Sequence, residues 1–253
     1  MSNPFTGGLN NFNYEVARNR IPGFETWNKF GYNLDVDGAA EVVASWGGTF
    51  DILETADTLD VVSTSSEDAS GGTGAKSVII YGVDANGNHI IEVVTMNGLT
   101  PVTTTNSYFG VNRVAIYLNG TAASNVGIIN ITATTGGEQQ AQMPAGQGTT
   151  QQCIFHVGSG KTFLADQLIL NINKISGGGN PVVTVKGFVY ARLTTATYEV
   201  FRITIDTQVE NTVPYPTLNP FVIAENQVLY FTAETNTANT VVNLRFSGIL
   251  CNS

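Results

Sequence analysis

One segment of the chain approaches the phosphate-binding loop of nucleotide-hydrolysing enzymes. Residues 158–162 read GSGKT and follow a short apolar run. A loop of the form G-x-x-x-x-G-K-[ST] needs its first glycine at position 155, where the sequence has Phe155. The following residues alternate with a strand period at Leu168, Leu170 and Ile172, whereas a phosphate-binding loop must lead into a helix. The segment therefore predicts a tight turn between two strands, and nucleotide binding is disfavoured.

Two side chains of metal-ligating type, Cys153 and His156, lie close together in the sequence. Their offset is odd, so in a strand they would point to opposite faces of the sheet. No second Cys/His pair completes a zinc site. No Ser/Asp partners can be matched to His156 or to the other histidine, His89. We therefore expect no metal site here.

Two short acidic pairs, Asp35/Asp37 and Glu67/Asp68, lie in loop-like sequence. They lack the longer ligand pattern of a calcium-binding loop, and we interpret them as solvated loop acids or turn caps. The 20 acidic residues also offer many carboxylate pairs of the kind a glycosidase needs, but no pattern selects one. We therefore expect a protein that is not an enzyme and has no cofactor.

Composition narrows the class of partner. The 253 residues carry a net charge of −9, which disfavours non-specific binding to nucleic acid or to anionic lipid. Charged residues make up only 12%, which suits a surface covered by neighbouring subunits and equally suits a secreted or simply β-rich protein with few helices. Cys153 and Cys251 are expected to be buried, reduced thiols. The N-terminus shows no signal-peptide pattern and no apolar run is long enough for a membrane helix, so synthesis in a cytoplasm is expected.

Short β-branched runs separated by Gly, Asn and Thr predict an all-β protein. The runs SVIIYG and HIIEVVT around VDANGN predict a hairpin. We predict two tandem β-sandwich or barrel-like domains preceded by an extended N-terminal arm. The predicted boundaries are 1–40 for the arm, 41–140 for the first β domain, 141–150 for a Gln- and Gly-rich linker and 151–253 for the second β domain.

The predicted arm is rich in aromatic residues that follow no strand or helix period. Large rings without such a period must pack on another surface, either an open edge of the first domain or a partner subunit. We consider them candidate anchors for a partner. These residues are Phe5, Phe12, Tyr14, Phe24, Trp27, Phe30 and Tyr32.

Four segments resemble a group of structural proteins from the virions of tailed bacteriophages, seen especially in cyanophages. They are NKFGYNLDVDG with WGGTFDIL, TADTLDVVSTSSEDASGGTGAKSVIIYGVDANGNHIIEVVTMNGLTPVTTTNSYFGVNRVAIY, NITATTGGEQQAQMPAGQGTTQQCIFHVGSGKTFLA and FRITIDTQVENTVPYPTLNPFVIAENQVLYFTAETNTANTVVNLRFSGIL. Together they cover most of the chain from Asn28 onward. The resemblance implies a non-enzymatic component of the virion, made in the cytoplasm of a host bacterium.

Within that group we expect a capsid decoration, or cement, protein. Its partners would be the major capsid protein or other virion subunits, and it would form a homotrimer or another small homo-oligomer. Two alternatives stay open at this point. One is a tail, adaptor or baseplate component, and the other is a virion module that binds a host glycan.

Overall fold

The computed structural model describes residues 12–175, 179–209 and 211–253, in which the chain is nearly all β. All the strand pairs recorded in this part of the chain are antiparallel, which confirms the predicted all-β class. The elements are α1 (Phe12–Ala17), β1 (Phe24–Val36), β2 (Glu41–Val42), β3 (Leu59–Ser63), β4 (Ala75–Asp84), β5 (His89–Thr95), β6 (Val102–Thr103), β7 (Tyr108–Asn119), β8 (Ile129–Ala133), β9 (Gln139–Met143), β10 (Ile154–His156), β11 (Lys161–Lys174), β12 (Val182–Ala191), β13 (Ala196–Asp206), β14 (Thr212–Ile223), β15 (Gln227–Thr235) and β16 (Thr240–Asn252).

Strands β3 to β9 form the first of two lobes, here called lobe 1. Its two sheets have the strand orders β6-β3-β8-β9 and β5-β4-β7. Alternate side chains of both sheets are buried between them, among them Leu59, Ile80, Val114 and Ile131. Because strand side chains alternate between faces, each sheet contributes one apolar face to this core.

The remaining strands form lobe 2. One sheet has the order β1-β16-β11-β14, and the other has the order β10-β15-β12-β13 with β2 added beside β15. Phenylalanine rings fill the space between the sheets. The centroids of Phe155 and Phe163 are 4.6 Å apart, and those of Phe231 and Phe246 are 5.4 Å apart. Buried aromatic pairs at these separations stabilise a core beyond the area they remove from water.

Lobe 1 is inserted into lobe 2, which differs from the predicted arm and domain boundaries. The chain begins lobe 2 with β1 and β2, passes through lobe 1, and returns to lobe 2 at β10. Residues 24–36, placed in the arm by the sequence, form an edge strand paired along its length with β16. The aromatic residues of this segment therefore belong to a sheet.

The burial pattern of β1 explains why its sequence does not resemble a strand. Val36 at the end of the strand is buried, but between residues 29 and 34 the buried positions are Lys29, Gly31 and Asn33, and Phe30 and Leu34 point to solvent. This order is the reverse of the usual apolar-inside pattern. Gly31 is required because a Cβ there would lie 2.7 Å from the backbone nitrogen of Cys153.

The predicted linker also differs from the structure. Residues 139–143 form β9, in which Ala141 and Met143 are buried in the core of lobe 1. The chain then follows β7, where the Thr150 amide donates to the carbonyl of Val114. The strand period cannot be seen in this stretch of sequence, because the polar residue Gln140 is buried as well as the apolar residues.

Two local predictions are confirmed. The turn between β4 and β5 is closed by Asp84, whose carboxylate accepts the amides of Asn86 and Asn88 at 2.9 and 2.8 Å. At the GSGKT segment, the Lys161 amide donates to the carbonyl of Gly158 at 3.3 Å, and strand β11 follows directly. Both turns are formed by residues close together in sequence, so their local sequence is enough to predict them.

Asp68 organises the loops at one end of lobe 1. Its buried carboxylate accepts the amides of Ala75, Val126 and Gly127 at 2.8 to 2.9 Å, and the hydroxyl of Ser63 at 2.6 Å. The prediction of a turn cap is therefore correct for this residue, but the prediction of a solvated acid is wrong, because Asp68 has no exposed surface.

Replacing Asp68 by Asn should lower the free energy of unfolding by about 3 kcal/mol, because an amide nitrogen would face backbone donors that then lose their acceptor. Urea unfolding followed by circular dichroism measures this loss. Glu67→Gln, at the neighbouring exposed carboxylate, should cost much less, because water replaces its bonds to Thr73. Equal losses for the two variants would contradict the assigned role.

Candidate functional site

One group of contacts between the two lobes lies along a short stretch of β7, residues 109–113. At Phe109 the carbonyl accepts a hydrogen bond of 2.9 Å from the Arg192 guanidinium, which also lies 4.3 Å from the centroid of the ring. Gly110 lies under the His156 ring, and a Cβ at this position would be 2.0 Å from the imidazole. Glycine at this position therefore lets β7 approach lobe 2 closely.

The next contact is made by the Asn112 side chain. Its amide nitrogen donates to the carbonyl of His156 at 2.9 Å, and its amide oxygen accepts the His156 backbone N–H at 2.7 Å. The carbonyl of Asn112 accepts a hydrogen bond from the Lys29 ammonium. One fully buried side chain thus pairs with β10 as a neighbouring strand would.

Contacts on either side of Asn112 extend this group. The side-chain amide of Gln152 donates to the carbonyl of Val111 at 3.0 Å, and the Arg113 guanidinium donates to the carbonyl of Asn28 at 3.1 Å. All five residues from 109 to 113 therefore contact lobe 2. We call this set of contacts the interlobe seam.

Burial strongly changes the ionisation of two groups in the seam. Loss of hydration lowers the pKa of Lys29 to about 7, an effect that the nearby Cys153 partly offsets. Burial also holds the pKa of His156 well below 6.5, and the positive charge of Arg192 adds to this effect. Neither ring nitrogen of His156 has a hydrogen-bond partner among the described residues. These groups are enclosed between the lobes, which is typical of a structural contact.

A groove opens beside the seam, between the edge of β1 and the sheet β5-β4-β7. Its volume is about 560 Å³, within the range of ligand sites in proteins. The Arg113 guanidinium lies 5.8 Å from the centre of the Trp27 ring, and Lys161 forms an ion pair of 3.5 Å with Glu25. The lining residues are Glu25, Thr26, Trp27, Asn28, Tyr81, Gly82, His89, Ile90, Ile91, Arg113, Lys161 and Leu250.

The groove continues onto an apolar surface, here called the outer face, made by the solvent side of β5-β4-β7. Ile91 on β5 is 62% exposed and pairs in register with Tyr81, while exposed Val93 pairs with Ile79. Tyr117 on β7 is also exposed. Several neighbouring apolar side chains on one sheet face mark a surface suited to protein contact.

The predicted anchor residues separate into different environments. Phe12 on α1 packs edge-to-face against Phe24 on β1, with centroids 5.4 Å apart. Trp27 contacts Phe155 at 4.9 Å and therefore packs within its own chain. Phe5 lies outside the described residues.

The other three anchor residues are accessible to different extents. Tyr14 on α1 is 68% exposed, Phe30 on β1 is 48% exposed, and Tyr32 is half-buried. The structure therefore brings Phe12 and Phe24 together but does not gather all the anchor candidates on one surface. Trp27 and Tyr81, which line the same groove, are far apart in sequence, and no local pattern links them.

The candidate ligand residues also separate. The Cys153 thiol lies 3.1 Å from the carbonyl of Leu244 in the core of lobe 2, whereas the His156 ring faces Phe50 and lobe 1. This confirms that they point to opposite faces. Cys153 is buried and Cys251 is half-buried, and both are free thiols. In the described part of the chain, no three His, Cys, Asp or Glu side chains are grouped so as to hold a metal ion.

No protein-family model and no curated protein matches the chain. Among solved structures, a crystal structure of the VP2 subviral particle of infectious bursal disease virus has 10% identity, covers 90% of this chain and 72% of that one, and gives a TM-score of 0.20. T=1 particles derived from the same virus give a TM-score of 0.16 at 10% identity, with 90% and 77% of the two chains covered. Similarity at this level is too low to establish a shared fold or function. No helix within the described ranges has the length and apolar character needed to cross a membrane.

Replacing Asn112 by Ala should lower the free energy of unfolding by about 3 kcal/mol, because it leaves a buried N–H and a buried carbonyl of His156 without partners. Denaturant unfolding measures the loss, and faster amide exchange at 154–156 would locate it. Asn119→Ala, at the exposed end of the same strand, should change stability by less than about 0.5 kcal/mol. A loss below about 1 kcal/mol in Asn112→Ala would contradict the bridging role.

Lys29 should make stability rise with pH above neutrality. Its pKa is about 7 in the folded chain and ordinarily 10.5, so between these values the unfolded chain binds the extra proton. We expect a gain of about 1 kcal/mol per pH unit from about pH 7 to about pH 8.5. Above that range Cys153, whose pKa is raised by burial from its ordinary 9.0, opposes the gain.

Unfolding in urea at a series of pH values measures the slope. Lys29→Met should abolish the rise, and Lys76→Met, on β4 of lobe 1, should retain it. The same slope in both variants would show that Lys29 is not the group responsible.

Proposed function

We propose that this chain is a non-enzymatic structural protein of a bacteriophage virion, of the capsid decoration type. The outer face, with Ile91, Val93 and Tyr117 exposed together, is the observation that supports a binding role. The assignment to a virion rests on the sequence resemblance described above. In this role the protein would add buried area across junctions between capsid subunits and stabilise the shell by mass action.

Two further features are consistent with a role in binding. The sparse charge of the surface lowers the cost of covering it with another subunit, because a neutral hydroxyl or amide loses less hydration energy than an ion. The interlobe seam also ties the lobes together through directed hydrogen bonds. A preorganised pair of lobes loses less conformational freedom when it binds.

A tail, adaptor or baseplate component is the second proposal, and copy number separates it from the first. Quantitative mass spectrometry of purified particles should find the chain in hundreds of copies if it decorates the capsid. A tail component forms a closed ring and would be present in about a dozen copies or fewer. The lower number would overturn the decoration role but would be compatible with the second proposal.

The docking surface can be tested with two matched substitutions. Ile91→Asp on the outer face should reduce incorporation into particles by more than about tenfold, because it buries an unpaired charge in the interface. Val222→Asp, on β14 of lobe 2 and 63% exposed, should leave incorporation unchanged. Circular dichroism would verify that both variants fold. Loss of incorporation only in Val222→Asp would show that the docking surface lies on lobe 2 and not on the outer face.

A further inference from the structure

We propose that the groove beside the interlobe seam binds an acidic saccharide, that is, a sugar ring that carries a carboxylate. This proposal concerns a small-molecule site and does not depend on where the chain lies in a particle. The groove has a volume of about 560 Å³ and lies between two lobes, and both properties are typical of ligand sites.

The aromatic lining of the groove suits a sugar ring. Trp27 and Tyr81 both line it, from β1 and from β4 respectively. Trp27 is held in place by its contact with Phe155 in the core of lobe 2, so the indole is preorganised. Sugars present C–H groups on one face of the ring, and such a face packs well on an aromatic side chain whose rim remains polar.

The charges of the groove select an acidic ligand. Its lining includes two basic side chains, Arg113 and Lys161, and a single carboxylate, Glu25. Lys161 and Glu25 form an ion pair with each other at 3.5 Å. Arg113 therefore leaves the groove with a net positive charge in a chain whose total charge is −9. A carboxylate on the ligand would complement this charge.

Arg113 is also oriented for this role. One of its nitrogens donates to the carbonyl of Asn28 at 3.1 Å, and its guanidinium lies 5.8 Å from the centre of the Trp27 ring. A guanidinium has five N–H donors in a fixed plane, so one bond to the backbone leaves donors for a carboxylate. The guanidinium lies over the Trp27 ring, and Arg113, Trp27 and Tyr81 line the same groove, so a sugar acid in the groove would meet both a cation and an aromatic side chain. Thr26 and Asn28 add polar groups on the β1 side.

The test uses the full chain and defined glycosides. Saturation-transfer NMR and calorimetry would compare methyl β-D-glucuronide and the methyl glycoside of N-acetylneuraminic acid with methyl β-D-glucoside, which lacks the carboxylate. We expect at least one acidic glycoside to bind with a Kd of about 1 mM, and the neutral glucoside to bind at least about tenfold more weakly.

Substitutions distinguish the charge from the ring platform. Arg113→Gln should weaken binding of the acidic glycoside about tenfold and leave binding of the neutral one unchanged. Arg113→Lys should retain part of the affinity for the acidic glycoside. Tyr81→Ala should weaken both classes. Arg202→Gln removes an exposed arginine that pairs with Glu199 on β13, outside the groove, and should have no effect.

Three outcomes would overturn the proposal. They are no binding of either acidic glycoside up to about 50 mM, binding that Arg113→Gln does not change, and binding of an acidic peptide in the groove without binding of the glycosides. Because all measurements use the isolated chain, a failure here leaves the particle-incorporation result unaffected.

Discussion

The pairing of the Asn112 side chain with the backbone of His156 connects the two lobes by a pair of buried hydrogen bonds. Strand β10 has β15 on one side, and the amide of Asn112 supplies a donor and an acceptor at His156 from lobe 1. Without it, polar backbone groups would be buried between the lobes with no partner. The groove depends on the same contact, because the next residue, Arg113, reaches across to Asn28 on β1.

The seam is polar, and this has an energetic consequence. Lys29 is buried so deeply that its pKa falls to about 7, and the ring nitrogens of His156 are enclosed without a hydrogen-bond partner among the described residues. An apolar junction would avoid these losses of hydration. Apolar packing, however, has no direction, whereas each hydrogen bond of the seam fixes a position along β7. The polar contacts therefore give the junction a direction that apolar packing alone lacks.

What could be predicted from the sequence is what is local. The all-β class and the turns at Asp84 and at 158–162 follow from residues a few positions apart. Strand β1 could not be recognised, because Lys29 points inward and Phe30 outward, and because its partner β16 lies about two hundred residues away. The groove could not be predicted from the sequence for a similar reason. Its lining comes from both lobes, and only the insertion of lobe 1 into lobe 2 brings these residues together.

The structure changes the meaning of the aromatic N-terminal segment. Residues 24–36 supply an edge strand of lobe 2, with Val36 in its core and Trp27 packed against it. A truncation of residues 1–40 would remove this strand together with Lys29 and its contact to lobe 1. Loss of partner binding after that truncation would therefore report damage to the fold as readily as loss of an anchor. Only single substitutions at exposed rings such as Tyr14 and Phe30 can separate the two effects, because these side chains contribute little to either core.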